Sequence, residues 1–456
     1  MTSGSHALPR ASRASRFTLA LSLSALAGAC SSNSLGVARS AISPSSGGDA
    51  SSETNWGLSS DSGSSSRGLG TGDATAELTV TAVSVGAESA CALLSGGTVQ
   101  CWGDNTYGEL GNGTTTGPDT CCPETGDGGV CASPPAPCSM APIAVGSITS
   151  AIAVSVGTES ACALLAGGTV QCWGDNTYGQ LGDGTTTSSS TPVAVRGLTG
   201  AMAVSVNSYS ACALLTGGTV QCWGWNATGQ LGNATMTNSS TPVAVSGLTG
   251  ATVIAAGYMS ACAVLSEGTV QCWGDNSYGE LGDGTATRSL TPVAVSGLTS
   301  ATAVSVGQYF ACALLSGGTV RCWGANGNGE VGEGTTGGTN CLDPGGCLRT
   351  PVTVSGLTGA TAVSAGNFSA CALLSGGTVQ CWGGNGNGDT LGNGSTTSTA
   401  WPVPVSGLSG ATAVSVGNNS ACAKFSGSTV QCWGYNGAGN LGNGTTIFSP
   451  TPVMVQ

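Results

Sequence analysis

Carboxylates are almost the only side chains in this chain that could perform acid–base chemistry. The single histidine is His6, so the remaining residues offer no imidazole for a general base, a Ser-His or Cys-His nucleophile, or a metal ligand. Carboxylates recur in register, after a Trp-Gly pair or before a glycine, at Asp104, Asp175, Asp275, Asp183 and Asp283. Paired carboxylates can hydrolyse a glycosidic bond, and clustered ones can hold calcium.

Related segments of the chain do not keep these carboxylates. The position after Trp-Gly is occupied elsewhere by Trp225, Ala325, Gly384 or Tyr435. Asp-Asn and Asp-Gly are also ordinary turn sequences. We therefore interpret the aspartates as turn residues and expect no enzyme, catalytic residue, metal or cofactor. A carboxylate-dependent hydrolase is the least favoured alternative.

Cysteines form a second set of reactive residues, and their spacing predicts disulfides. A turn at Ser95-Gly96-Gly97 would place Cys91 and Cys101 opposite each other on two strands, at a distance that a disulfide spans. The same spacing predicts seven pairs: Cys91–Cys101, Cys162–Cys172, Cys212–Cys222, Cys262–Cys272, Cys312–Cys322, Cys371–Cys381 and Cys422–Cys432. Zinc is disfavoured because the pairs lack both Cys-x2-Cys spacing and accompanying histidines.

The other cysteines lie in two insertions and near the N-terminus. Cys341 and Cys347 in the second insertion are expected to pair, whereas the connectivity of four cysteines in the first insertion stays open: Cys121, Cys122, Cys131 and Cys138. Cys30 is left alone among the 21 cysteines. About ten disulfides in one chain indicate an oxidising, exported environment.

The elements that hold these residues are seven copies of one unit. The first cysteine of each pair recurs every 50 or 51 residues, and intervals of 71 and 59 residues mark insertions at 117–140 and 337–349. Four short strands fit each unit, for example 191–195, 201–206, 211–215 and 219–223. Four antiparallel strands repeated radially describe a propeller blade, whereas a solenoid would need end caps that the sequence lacks.

The two ends of the repeat region predict a closed ring. The first unit lacks a Thr-Pro-Val strand ahead of Leu78, and the last unit ends in an extra one at 451–455. We predict an all-β, seven-bladed β-propeller of four-stranded antiparallel blades over 78–456, with the C-terminal strand joining the first blade to close the ring.

The segment 172–182, Cys-Trp-Gly-Asp-Asn-Thr-Tyr-Gly-Gln-Leu-Gly, resembles the repeat of the regulator of chromosome condensation family, a seven-bladed propeller. All seven units match the Trp-Gly…Asn…Gly-Gln-Leu-Gly signature. The family's eukaryotic founder acts on a small GTPase and binds chromatin, but an acidic, cysteine-rich chain with an export signal departs from that setting. Secreted bacterial members, which include a propeller inhibitor of β-lactamases, are closer in kind. This resemblance implies binding through the end loops.

The loops between the second and third strands of each unit vary while the flanking strands do not. Equivalent loops should form one ring around an end of the channel, and aromatic residues there are typical of binding hot spots. The predicted partner-binding residues are Tyr209, Tyr258, Met259, Tyr309, Phe310, Phe368, Glu88 and Glu159. The alternative is that these side chains only shield the blade ends.

The N-terminal 77 residues indicate export and tethering. Arginines precede an apolar run at 17–29, which is too short to span a bilayer and typical of a signal peptide over 1–29. The junction Leu26-Ala27-Gly28-Ala29-Cys30 looks like a bacterial lipobox, with lipidation at Cys30 favoured over plain secretion. Residues 30–77 are rich in Ser and Gly, which predicts a flexible linker. We expect a lipid anchor in a bacterial membrane, with the outer membrane or cell surface favoured.

The net charge of the chain indicates which kinds of partner its surface disfavours. The formal net charge is −12 and Lys424 is the only lysine, which disfavours nucleic acids and anionic membrane surfaces. We expect a monomer that touches the membrane only through its anchor and binds an extracellular or periplasmic protein, as an inhibitor or receptor. A glycan-binding propeller is the alternative, because aromatic arcs with Asn and Gln also suit sugars.

Overall fold

The computed structural model describes residues 78–121, 135–338, 346–385 and 390–456. Predictions for the signal peptide, for Cys30, for the linker and for Cys122, Cys131 and Cys341 lie outside the described residues. Every regular element in the described part is a β-strand, and none of its elements is a helix able to span a membrane.

The strands form seven antiparallel sheets, each built from strands that are consecutive in the chain. The first sheet contains β1 (Val80–Val85), β2 (Ser89–Leu94), β3 (Val99–Asp104), β4 (Asp119–Cys121) and β5 (Ala136–Ala144). The second contains β6 (Ala151–Val156), β7 (Ser160–Leu165), β8 (Val170–Gly174) and β9 (Ser189–Ala194). The third contains β10 (Ala201–Val206), β11 (Ser210–Leu215), β12 (Val220–Gly224) and β13 (Ser239–Ala244).

The remaining four sheets repeat this plan. The fourth contains β14 (Ala251–Ala256), β15 (Ser260–Leu265), β16 (Val270–Gly274) and β17 (Ser289–Ala294). The fifth contains β18 (Ala301–Val306), β19 (Phe310–Leu315), β20 (Val320–Ala325) and β21 (Cys347–Thr353). The sixth contains β22 (Ala360–Ala365), β23 (Ser369–Leu374), β24 (Val379–Gly383) and β25 (Thr399–Pro404). The seventh contains β26 (Ala411–Val416), β27 (Ser420–Phe425), β28 (Val430–Gly434) and β29 (Ser449–Met454). The predicted seven-bladed β-propeller is confirmed.

A three-residue turn sets the register of the two middle strands in the first blade. The Gly97 N–H donates to the Leu94 carbonyl, and Gly97 adopts a φ of +75°, which the third residue of such a turn requires. Cys91 then lies directly opposite Cys101, with 4.1 Å between their Cα atoms. All seven predicted Cys-x9-Cys disulfides are present.

Tryptophan joins each blade to the one before it. Seven tryptophans are fully buried, and each donates its Nε1–H to a carbonyl of the preceding blade at 2.7–2.9 Å: Trp102, Trp173, Trp223, Trp273, Trp323, Trp382 and Trp433. Burying an indole while satisfying its one donor gives each junction both apolar area and a directional bond. A second bond crosses six of the seven junctions near the channel, from a backbone N–H to an inner-strand serine such as Ser84.

The ring closes by packing between the first and seventh blades. The C-terminal strand was expected in the first sheet, but β29 pairs with β28 in the seventh sheet. The reason is that each Thr-Pro-Val strand pairs with the Trp-bearing strand that precedes it. Closure comes instead from the bond between Trp102 Nε1 and the Asn440 carbonyl, and from Val453 and Val455 packed against the first blade.

The two insertions extend the outer edges of their blades. In the first, β4 adds a fifth strand beside β5, and a disulfide joins Cys121 to Cys138, which settles one of the open pairings. In the second, Cys347 begins β21 and is disulfide-bonded.

Candidate functional site

Two chain segments of each blade meet at one end of the ring. The first is the loop between the two inner strands, and the second is the residue that follows Trp-Gly. In the first blade the Asp104 N–H donates to the Glu88 carbonyl at 2.8 Å, and equivalent bonds occur in all seven blades. Gly103, with a φ of +104°, makes this approach possible, because a Cβ there would collide with the Glu88 carbonyl.

Loops of neighbouring blades also contact each other. The Ala87 N–H donates to the Gly157 carbonyl, and the Asn418 N–H donates to the Gly86 carbonyl, each at 3.3 Å. These bonds join the first blade to both of its neighbours. The predicted placement of the variable loops in one ring around the channel is therefore what the structure shows.

Six aromatic rings form a continuous surface on this end, which we call the aromatic cluster. Its members are Tyr178, Tyr209, Trp225, Tyr258, Tyr278 and Tyr309. Neighbouring ring centroids are 4.7–6.3 Å apart, with edge-on or tilted planes, as favourable aromatic pairs require. The rings come from the second to fifth blades and hold one another in place.

The predicted aromatic residues contribute unequally to this surface. Tyr209 and Tyr309 are half-buried members of the aromatic cluster. Tyr258 is only 6% exposed, so it supports its neighbours more than it faces solvent. Met259 is half-buried and has no ring contact among those the structure describes.

Phe310 lies deeper than predicted, because its side chain is buried, although it also lines the pocket that holds Phe368. It is 1% exposed, begins β19 and lies in the apolar core of its blade. It occupies the position that serine holds in the other six blades, and its ring lies over Gly307, which has no side chain. Sequence alone counted it as a loop residue because the aromatic pair Tyr309-Phe310 follows the loop glycine.

Phe368 lies in a pocket at the end of the aromatic cluster. The pocket has a volume of about 140 Å³, and Tyr278, Tyr309, Asn328 and Glu330 also line it. A small side chain of a partner could enter this pocket between aromatic walls.

At the loop position and after Trp-Gly, the first two blades carry carboxyl groups where the third blade carries aromatic rings, and we call Glu88, Asp104, Glu109, Glu159 and Asp175 the acidic cluster. Burial, and then the charge of Asp104, raise the pKa of Glu88 to about 7. Burial, followed by Asp175, Glu88 and Asp104, raises the pKa of Glu159 to about 7. Burial and the neighbouring Asp104 raise the pKa of Glu109 well above its usual range. Glu88, Glu109 and Glu159 therefore lose their protons less readily than isolated carboxyl groups do.

One oxygen of the acidic cluster has no partner among the described residues. Glu109 is 1% exposed; its Oε2 accepts the Tyr107 N–H at 2.9 Å, whereas Oε1 accepts nothing. In the second blade the equivalent residue is Gln180, whose Nε2 donates to Asp175 at 2.6 Å. In the first blade a carboxyl replaces that amide, and it can supply a donor only while it keeps its proton, as its raised pKa favours.

The acidic and aromatic clusters adjoin each other. Burial, and then the charge of Glu159, raise the pKa of Tyr209 above its usual range. Glu159 is also the main cause of the raised pKa of Tyr107, whose ring is 42% exposed. One surface thus changes from carboxylates to aromatic rings between the second and third blades.

The predicted partner-binding residues supply only the loops of this surface, and the residues after Trp-Gly supply a second row, of which Asp104 and Asp175 were interpreted as turn residues. Tyr178, Trp225 and Tyr278 join the aromatic cluster, and Asp104 and Asp175 join the acidic cluster. The variation after Trp-Gly, from Asp to Trp to Ala, was the signal that could have found them. Among the described residues, no three His, Cys, Asp or Glu side chains are grouped so as to hold a metal ion.

The turn interpretation is confirmed for Asp183 and Asp283, and also for Asp175, whose Oδ1 accepts the Thr177 N–H at 3.2 Å. Asp183 Oδ1 accepts the Thr185 N–H at 2.9 Å, and Asp283 Oδ1 accepts the Thr285 N–H at 2.8 Å. Both bonds close short turns of the kind that Asp-Gly sequences favour.

Comparisons with known proteins agree with this architecture. Human WBSCR16 is similar at a TM-score of 0.64 and 19% identity, over 79% of this chain and 94% of that chain. Prp20p of Saccharomyces cerevisiae is similar at 0.63 and 17%, over 83% and 87%. Yeast RCC1 (Prp20) bound to Kap60 gives 0.59 and 18%, over 74% and 78%. At these identities the structures show the fold alone, and no curated protein sequence matches the chain. Residues 45–402 match the family model described as the RCC1-like domain, and the chain therefore belongs to that family.

Proposed function

We propose that this protein is an exported, lipid-anchored interaction module that binds an extracellular or periplasmic protein through the ring of loops bearing the aromatic cluster. The RCC1-like propeller is a type of fold that serves protein interaction. The observation that carries the proposal is a continuous surface of six aromatic rings on one end of the propeller. Large, rigid aromatic side chains on loops are enriched at the energetic centres of protein interfaces.

Several features support the setting and the kind of partner. Seven hairpin disulfides suit an oxidising compartment, which agrees with the proposed signal peptide and with a lipid anchor at Cys30. Among similar propellers, yeast RCC1 is seen with Kap60 bound to it, and Prp20p has binding properties toward Gsp1p and histones. We propose an analogous use of a propeller surface here, as an inhibitor or receptor, with a different partner.

Affinity capture with the full chain tests the proposal. We expect Tyr209→Ala combined with Tyr309→Ala to lose partners that the unchanged chain retains, because both rings are partly exposed. Trp401→Ala is the matched control, since Trp401 is 54% exposed on the outer strand β25, away from the loops. Equal capture by the double variant and the unchanged chain would refute the site. A glycan array probed with the same proteins would show instead whether the rings bind sugars.

A further inference from the structure

We propose that the pocket lined by Phe368 binds an aromatic side chain of the partner protein, in the place that the indole of Trp225 occupies two blades earlier. This inference rests on the proposed function and names the chemistry of the group that enters the surface. The pocket is lined by four aromatic residues: Tyr278, Tyr309, Phe310 and Phe368. Its volume of about 140 Å³ is close to the volume of about 150 Å³ of an apolar cavity that admits benzene.

The third blade shows this place when it is filled. There the indole of Trp225 contacts both Tyr178 and Tyr209, with ring centroids 6.1 and 6.0 Å away. Both contacts are tilted or edge-on, which is the arrangement that aromatic pairs favour. The chain itself supplies this ring, because the residue after Trp-Gly in the third blade is a tryptophan.

The fifth blade keeps the two tyrosines but not the tryptophan. The tyrosines recur two repeats further along the chain as Tyr278 and Tyr309, whose ring centroids are 4.7 Å apart. The counterpart of Trp225 is Ala325, and all three counterparts line the pocket. The pocket therefore lies where a large side chain at position 325 would contact the two tyrosines, and a ring from a partner can take that place.

Two further residues increase the aromatic area around the pocket. Phe310 replaces the serine of the other six blades, and its buried ring forms one wall. Phe368 belongs to the loop of the next blade, at the position that Met259 occupies beside the third blade. An entering ring would thus meet more aromatic surface here than the indole of Trp225 meets in the third blade.

The polar groups of the pocket favour an uncharged ligand. Glu330 is 2% exposed, and its two oxygens accept the backbone N–H and the side-chain N–H of Asn328, each at 2.8 Å. Because both oxygens are satisfied within the chain, they do not require a cation from a ligand. A sugar ring would bring several hydroxyl groups that need their own partners. An aromatic side chain brings mainly apolar surface and suits the surrounding rings.

Saturation-transfer NMR with small probes tests the proposal on the full chain. The probes are N-acetylphenylalanine amide and N-acetylleucine amide, with methyl glucoside as a sugar. We expect the phenylalanine probe to bind with a Kd of ~1 mM and the leucine probe about 5-fold more weakly, because contacts between rings add to the effect of buried area. Binding of the leucine probe or the sugar as tight as that of the phenylalanine probe would overturn the proposal.

Ala325→Trp gives the fifth blade the indole that the third blade has. It should fill the pocket and weaken the phenylalanine probe by about 10-fold, whereas Ala325→Ser, the matched control, keeps the space and should leave affinity unchanged. Phe368→Ala removes a half-buried loop side chain and should weaken the probe by about 5-fold, so it tests the pocket even if the tryptophan variant fails to fold. Melting curves identify the folded variants, and unchanged affinity in a folded Ala325→Trp or Phe368→Ala variant would overturn the proposal.

Affinity capture separates this inference from the proposed function. If a partner uses the pocket, Ala325→Trp should lose partners that the unchanged chain and Ala325→Ser retain. Normal capture by Ala325→Trp, with capture lost by the variant carrying Tyr209→Ala and Tyr309→Ala, would overturn the pocket and leave the proposed function standing. Normal capture by both variants would overturn both.

Discussion

Replacing Glu280 by glutamine should make this protein more stable at neutral pH. Glu280 is 1% exposed in the fourth blade, and its Oε1 has no hydrogen-bond partner among the described residues. Burial, and then the neighbouring Asp275, raise the pKa of Glu280 to about 8. In the second blade Gln180 occupies the equivalent position and donates to Asp175 at 2.6 Å. An amide at position 280 can therefore supply the proton donor that the carboxyl supplies only when it is protonated.

The sign and size of the effect follow from the pKa of Glu280. The unfolded carboxyl ionises at about 4.5, whereas the folded one keeps its proton up to about 8. Folding must therefore take up a proton at Glu280 between these pH values. The contribution of Glu280 to the free energy of unfolding is most favourable below pH 4.5 and falls as the pH rises toward 8. At pH 7 the penalty is ~3 kcal/mol, from 1.36 kcal/mol per pH unit. Glu280→Gln should remove it, and should leave stability nearly unchanged at pH 4.

Urea denaturation with intact disulfides, repeated from pH 4 to pH 8, measures this difference. The free energy of unfolding of the variant should exceed that of the unchanged chain by an amount that grows with pH. Gln180→Glu is the reciprocal control and should lose stability with rising pH, because it places a second carboxyl beside Asp175. A stability difference that is constant across this range, or a variant less stable at pH 7, would refute the assignment of a neutral Glu280.

Two further predictions concern the blades themselves. Cys212→Ala combined with Cys222→Ala should lower the free energy of unfolding by ~2–3 kcal/mol, the amount expected for opening a loop of about ten residues; urea denaturation would show it, and no loss would mean that the third hairpin is held by its hydrogen bonds alone. Ala255→Ser should raise that free energy by ~1 kcal/mol, since six other junctions use a serine there and the new hydroxyl can accept the Val306 N–H. Its reciprocal, Ser205→Ala, should lower it, and a destabilised Ala255→Ser variant would show that the hydroxyl does not fit.

The blade could be predicted from sequence because its turns, its cysteine spacing and its strand register each depend on residues that are close together in the chain. The spacing of Cys91 and Cys101 determines a hairpin register, and a register slip would turn every apolar side chain to the other face. The partner of the last strand could not be inferred in the same way. A Thr-Pro-Val strand has two candidate neighbours in a repeat array, and only the packed structure shows that β29 pairs with β28.

The candidate site was only half predictable, for a related reason. Loop residues such as Tyr209 and Tyr309 differ between otherwise constant repeats. This variation indicates that the fold does not determine which residue stands at these positions. Trp225 varies in the same way, but it follows a strand in the chain, and only the folded structure shows that its backbone and its ring contact the loop at Tyr209. Phe310 differs from this pattern, because at a position that is serine in the other six blades its side chain joins the core of the fifth blade while also lining the pocket.

Backbone bonding explains why this end of the propeller can differ so strongly from blade to blade. The two segments that form it are joined by an N–H to carbonyl bond, as between Asp175 and Glu159, and that bond is the same whichever side chains are present. The side chains at these two positions therefore carry little of the fold's stability, and exchanging carboxyls for aromatic rings leaves the blade intact. A gradient from Glu88 to Tyr309 can then arise by single substitutions, each altering what the surface attracts. The chemistry of such a ring of loops is set by the order of the blades, so Tyr209→Glu should place a further carboxyl in the third blade without moving a strand.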